Sequence, residues 1–121
     1  MTIEAPPIGL DAFVAGLARQ GIASERSEGL LVYRVVPVEG AYAGTEVETG
    51  IELAELDGWP RTPPHWIHLP STLVIPSGSP NSTKRPGWTK YSRPHPGRLD
   101  AATNPSREWV AHVRALIGTA T

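Results

Sequence analysis

An α+β fold, with helices covering one face of an antiparallel sheet, is predicted by three features of the sequence. Helical spacing of apolar residues occurs near both ends of the chain. Two β-rich runs follow one another closely in the first half. A proline-rich stretch, residues 58–70, then leads stiffly into a third such run. The chain has 121 residues, 13 of them Pro and none of them Cys. That length predicts one domain spanning residues 1–121, with residues 1–7 as a tail and 70–104 as a long flap and loop.

The elements follow in order. Leu10, Phe13, Val14 and Leu17 fall at i, i+3, i+4 and i+7, which lines one helical face, and Gly21 supplies a stop. Residues 30–36 are rich in Leu, Val and Tyr and read as a strand, followed by a small-residue turn at Gly40-Ala41-Tyr42-Ala43-Gly44. Over residues 45–56, Val47, Thr49, Ile51 and Leu53 alternate with Glu46, Glu48 and Glu52, the pattern of a strand with one wet side. Two strands this close predict an antiparallel hairpin. Pro63 and Pro64 fix φ and donate no N–H, so their segment cannot be helix, and residues 65–69 complete a three-stranded meander. From residue 70 to 104 little regular pattern remains apart from Leu73-Val74-Ile75, although Trp88, Tyr91 and Leu99 predict that parts of this segment pack. Asn104 as N-cap and Pro105 at the first position open a final helix. Its apolar face is Trp109, Val110, Val113, Leu116 and Ile117, and Gly118 ends it.

Composition excludes several classes. No apolar run approaches the roughly 20 residues of a membrane helix, and neither a basic n-region nor an apolar h-region opens the chain, so a cytoplasmic location is expected. The absence of Cys removes disulfides, thiolate metal sites and thiol nucleophiles together. Charge is divided along the chain: ten acidic residues stand against three Arg up to Asp57, and eight Lys/Arg against two acidic residues from Gly58 onward. Such a division marks either a partner surface or charges that mix on the folded surface.

The order of elements and the turn Trp59-Pro60-Arg61-Thr62-Pro63-Pro64 resemble the ubiquitin-conjugating enzymes. These share an N-terminal helix, an antiparallel meander and a Tyr-Pro-x-x-Pro-Pro turn, with Trp replacing Tyr here. Gly87-Trp88-Thr89-Lys90-Tyr91-Ser92-Arg93-Pro94-His95 is similar to the Trp-x-x-aromatic-Ser-Arg-His signature of the E-type prokaryotic branch. The resemblance covers residues 29–117 and implies a UBC-like fold. It also implies a bacterial ubiquitin-like modification pathway, with a ubiquitin-like protein and its activating enzyme as partners. The family's flap cysteine and its His-Pro-Asn are missing, so a thioester mechanism is excluded for this chain. Three alternatives follow: a Ser or Thr accepts the acyl group as an oxyester; the protein is a non-catalytic adaptor; or a cysteine has been replaced in this chain.

An oxyester needs a hydroxyl, a base and donors for the developing oxyanion. The candidate hydroxyls are Ser77, Ser79, Ser82 and Thr83 in the flap and Ser92, with His95 as the expected base beside Ser92. His65 and His68, three apart on a strand, point to opposite faces and so cannot serve one site together. Because the strand geometry splits that pair and no acidic residue sits nearby in sequence, no metal site is expected for His65, His68 and His95; no cofactor is expected either. Trp88, Tyr91, Lys84, Arg85 and Arg93 are the candidate partner-binding residues. A nucleic-acid module using the basic loop 84–98 is a further alternative, opposed by the slightly acidic whole.

Overall fold

The computed structural model describes residues 8–121. It contains helix α1 (Gly9–Arg19), strands β1 (Ser24–Ser27), β2 (Leu30–Val35) and β3 (Val47–Glu52), and a short 3-10 helix (Leu53–Leu56). Strands β4 (Trp66–Pro70), β5 (Asn81–Ser82) and β6 (Trp88–Ser92) and helix α2 (Pro105–Ile117) follow. All strand pairs are antiparallel, in the order β1-β2-β3-β4-β6-β5. The α+β class is therefore as the sequence predicts, and both helices fall where their apolar spacing places them. Asn104 occupies the N-cap of α2 with Pro105 behind it, although its side chain makes no capping hydrogen bond.

The sheet is twice as wide as the predicted meander. Strand β1 has no apolar residue and no alternation to announce it; Glu28 and Gly29, both at positive φ (55° and 80°), turn it tightly into β2. The second addition comes from the segment read as irregular. Residues 70–104 cross away after β4, return as β5 and β6, and β6 pairs with β4 over its whole length, from Trp66↔Ser92 to Pro70↔Trp88. The loop is anchored where it leaves the sheet: Leu73 and Ile75 are buried, and Val74 and Thr121 exchange both backbone hydrogen bonds.

One sheet face carries Leu31, Tyr33, Val35, Ile51, Ile67, Leu69 and Tyr91 into the core beneath the helices. Phe13 of α1 meets the Tyr33 ring edge-on at 5.8 Å, and Trp109 of α2 donates its indole N–H to the Tyr33 hydroxyl at 3.0 Å. Trp59 of the proline turn is buried against Phe13 (4.8 Å between rings) and Trp109 (6.4 Å), so the turn is pinned to both helices. Burial pushes the Tyr33 phenol well above its ordinary range, outweighing the hydrogen bond from Trp109. The helices meet where Gly16 faces Ser106; a Cβ at Gly16 would lie 2.5 Å from Ser106 Oγ and 2.7 Å from its Cβ.

Candidate functional site

The opposite sheet face is built differently. Strand alternation turns Ile67 and Leu69 inward and Trp66 and His68 outward, with His68 between Gly50 on β3 and Lys90 on β6. An outward residue would ordinarily be wet, yet His68 is only 1% exposed, because the chain after β5 folds back across it. Lys84 reaches Glu52 at 2.8 Å, Arg85 donates to Ser27 Oγ on β1, and the Trp88 ring comes within 3.5 Å of the Cβ position of Gly50. Residues 83–88 thus make a strap over the outer face. A Cβ at Gly50 would lie 3.2 Å from the Leu31 carbonyl oxygen, with Leu30 and Trp88 in ordinary contact around it.

Under the strap a hydroxyl, an imidazole and a carboxylate stand in series. Thr83 Oγ1 lies 2.6 Å from His68 Nδ1, and His68 Nε2 faces Glu55 Oε2 at 3.8 Å. Glu55 is positioned by the 3-10 turn after β3. Its Oε1 accepts the backbone N–H groups of His65 (3.0 Å) and Trp66 (3.4 Å) at the start of β4, leaving Oε2 directed at the ring. Glu52, at the end of β3, completes the group: Glu52, Glu55 and His68 offer ligand-type atoms within 4.8 Å of one another. The hydrogen bond from Lys84 holds the Glu52 carboxyl below its ordinary range, with burial opposing it.

A second hydroxyl–imidazole pair lies in the open. His65 Nε2 is 2.5 Å from Ser92 Oγ, and both residues are exposed. Ser92 therefore meets His65, not the expected His95. The reason is register: β6 pairs Ser92 with Trp66, beside His65, whereas Pro94 and Pro96 carry His95 away to α2, where its ring lies 5.1 Å from that of His112. His112 in turn donates from Nε2 to the Arg93 carbonyl at 2.8 Å; burial, and then the neighbouring His95 and Arg93, lower its pKa against that hydrogen bond.

Among the described residues, Ser77, Ser79 and Ser82 meet no imidazole. All three are exposed; the Ser79 carbonyl accepts from Asn81, and Ser82 is paired in β5. Of the expected partner-binding residues, Tyr91 is buried and packs its ring edge within 2.6 Å of the Cβ position of Gly78, so it anchors the loop to the core. Trp88 is half-buried with the Arg85 guanidinium 4.7 Å from its ring centre, Lys84 is held by Glu52, and Arg93 is half-buried with its N–H bonded to the His65 carbonyl. In the Lys84–Glu52 pair, basic and acidic halves of the sequence meet directly. The sequence signalled Glu52 only as the wet side of a strand and gave no signal for Glu55, which lies in the 3-10 turn after β3. His68 between Ile67 and Leu69 is the clue that was available, since an imidazole flanked by core residues needs a partner on the other face. Comparison with known protein families, with curated proteins and with solved structures finds no match to the chain. No helix among the described residues is long and apolar enough to cross a membrane.

Proposed function

We propose that this chain is a ubiquitin-conjugating-like protein of a bacterial ubiquitin-like modification pathway. In this reading it accepts the C-terminal acyl group of a ubiquitin-like protein on Thr83 as an oxyester. The observation that carries the assignment is the 2.6 Å contact between Thr83 Oγ1 and His68 Nδ1, with the Glu55 carboxylate behind the ring. With the tautomer that keeps hydrogen on Nε2, Nδ1 accepts the hydroxyl proton as Oγ1 attacks the carbonyl carbon of an activated thioester or acyl adenylate. The thiolate or AMP leaves, and the ester forms. The resulting imidazolium faces Glu55, whose charge stabilises it. The imidazolium releases its proton to solvent; in the second step an amine attacks the ester, and neutral His68 takes the amine's proton and delivers it to Oγ1 as the ester C–O bond breaks. The proline turn and the helix–meander–helix order support the UBC-like reading, and the buried Trp59 gives that turn a structural role in this chain.

Intact-mass analysis after incubation with a bacterial activating enzyme, its ubiquitin-like protein and ATP tests the reading. The expected adduct survives thiol reductant, is cleaved by hydroxylamine or mild base, and maps to Thr83. Thr83→Val abolishes it, Thr83→Ser retains it, and Ser92→Ala leaves it intact. An adduct on Ser92 would transfer the role to the Ser92–His65 pair. Co-elution of the proteins without any adduct would replace acyl transfer by the non-catalytic adaptor.

A further inference from the structure

We propose that Glu52, Glu55 and His68 form a binding site for a divalent cation of the zinc class. Two buried atoms point to it. His68 Nε2 and Glu55 Oε2 have no hydrogen-bond partner, although they face one another. Their 3.8 Å separation is too long for a hydrogen bond. It is a spacing that two ligands of one ion keep, since zinc–nitrogen and zinc–oxygen bonds of about 2.0–2.2 Å allow up to roughly 4.2 Å between ligand atoms. Glu52 offers a ligand atom within 4.8 Å of the others from a side chain that is 25% exposed, and a turn of that side chain would bring it to the same ion.

The surroundings fit a ligating imidazole. When Nε2 binds an ion, Nδ1 carries the hydrogen and donates it to Thr83 Oγ1, the outer-shell contact that fixes the ring of a metal-bound histidine. Glu55 is likewise held by the two backbone N–H groups on its other oxygen. An imidazole nitrogen with two carboxylates favours zinc-like ions over magnesium and calcium, which prefer oxygen alone. Two carboxylates also balance the charge of the ion. The competitor is internal: the Lys84 ammonium sits 2.8 Å from Glu52, but its side chain is 61% exposed and free to swing into solvent. Metal and base roles exclude one another, because a ring bound through Nε2 has its Nδ1 already protonated and cannot take the Thr83 proton. That consequence, but not the site, rests on the acyl-acceptor reading.

Titration of the full chain with Zn2+ by calorimetry, and with Co2+ by visible absorption, tests the site. One equivalent binds, and Mg2+ and Ca2+ do not displace it. Glu55→Gln and the Glu52→Gln/Glu55→Gln pair weaken binding by more than the ~10–100-fold expected for an outer-shell change. Thr83→Val weakens it about tenfold. Lys84→Ala tightens it several-fold, and His95→Ala leaves it unchanged. Circular dichroism establishes that each variant is folded. Failure to bind one equivalent, binding that survives in the folded double variant, or binding lost with His95 would each overturn the site. Displacement by Mg2+ would overturn the zinc class. Zinc binding without any effect on acyl loading would separate the metal site from the Thr83 reading.

Discussion

The two faces of the sheet are made by the same strands and serve different ends. On β4, Ile67 and Leu69 enter an aromatic core under the helices, while one residue away His68 meets Thr83 and Glu55 under a strap. The inner face is closed by bulk: Phe13, Tyr33, Trp59 and Trp109 lock edge to face, and the polar atoms of Tyr33 and Trp109 satisfy one another. The outer face is closed by segment 83–88, tied down by an ion pair and a few side-chain hydrogen bonds. The first kind of closure stabilises; the second leaves titratable atoms dry but unpaired, a condition that chemistry at a site exploits. Dense apolar packing and unpaired titratable atoms thus lie on opposite faces of one sheet.

Mutations should divide along the same line. The largest loss of stability is expected for Trp109→Ala, about 3–5 kcal/mol by chemical denaturation, from the cavity it opens and the hydrogen bond to Tyr33 it removes. Gly16→Ala follows at ~1–3 kcal/mol, because the new methyl overlaps Ser106; Ser106→Gly in the same chain should recover part of it, which separates overlap from helix propensity. On the outer face Thr83→Val should cost about 1 kcal/mol, the desolvated Nδ1 losing its partner, while acyl loading is lost outright. Lys84→Ala should change stability by less than about 1 kcal/mol, since its pair with Glu52 is largely solvated. If Lys84→Ala instead unfolds the chain, the strap belongs to the core and the division of faces fails.

A smaller effect sharpens the comparison by pH. The folded pKa of His112 is lowered from 6.5, chiefly by burial, so the folded state resists the proton that the unfolded state accepts. Its contribution is present above that ordinary value and is lost as pH falls from there through the lowered one. The denaturation midpoint should therefore drop on acidification from about pH 7 to about pH 5, and His112→Gln should flatten that part of the curve.

Much of the inner half was legible in advance. The spacing of Leu10, Phe13, Val14 and Leu17, the face from Trp109 to Ile117, and the alternation from Val47 to Ile51 each encode burial through a local period, and a local period is visible in one dimension. Strand β1 was not legible, because Ser24 to Ser27 offers no apolar alternation and is ordered by its partner β2 through the turn at Glu28 and Gly29. Nor was β6, whose Trp88, Lys90 and Ser92 read as loop until β4 supplies the other half of the ladder.

For the candidate site the same division holds. The sequence by itself determined that no thiol is present and that His65 and His68 serve different partners. Only the tertiary structure chose Thr83 over Ser77, Ser79 and Ser82 as the hydroxyl facing a buried imidazole, and set Glu55 behind it. Glu55, His68 and Thr83 come from a turn, a strand and a strap with no common period. Their meeting is fixed by the register of β4 against β6 and the path of residues 83–88 across the sheet, and long-range pairing leaves no mark on local spacing.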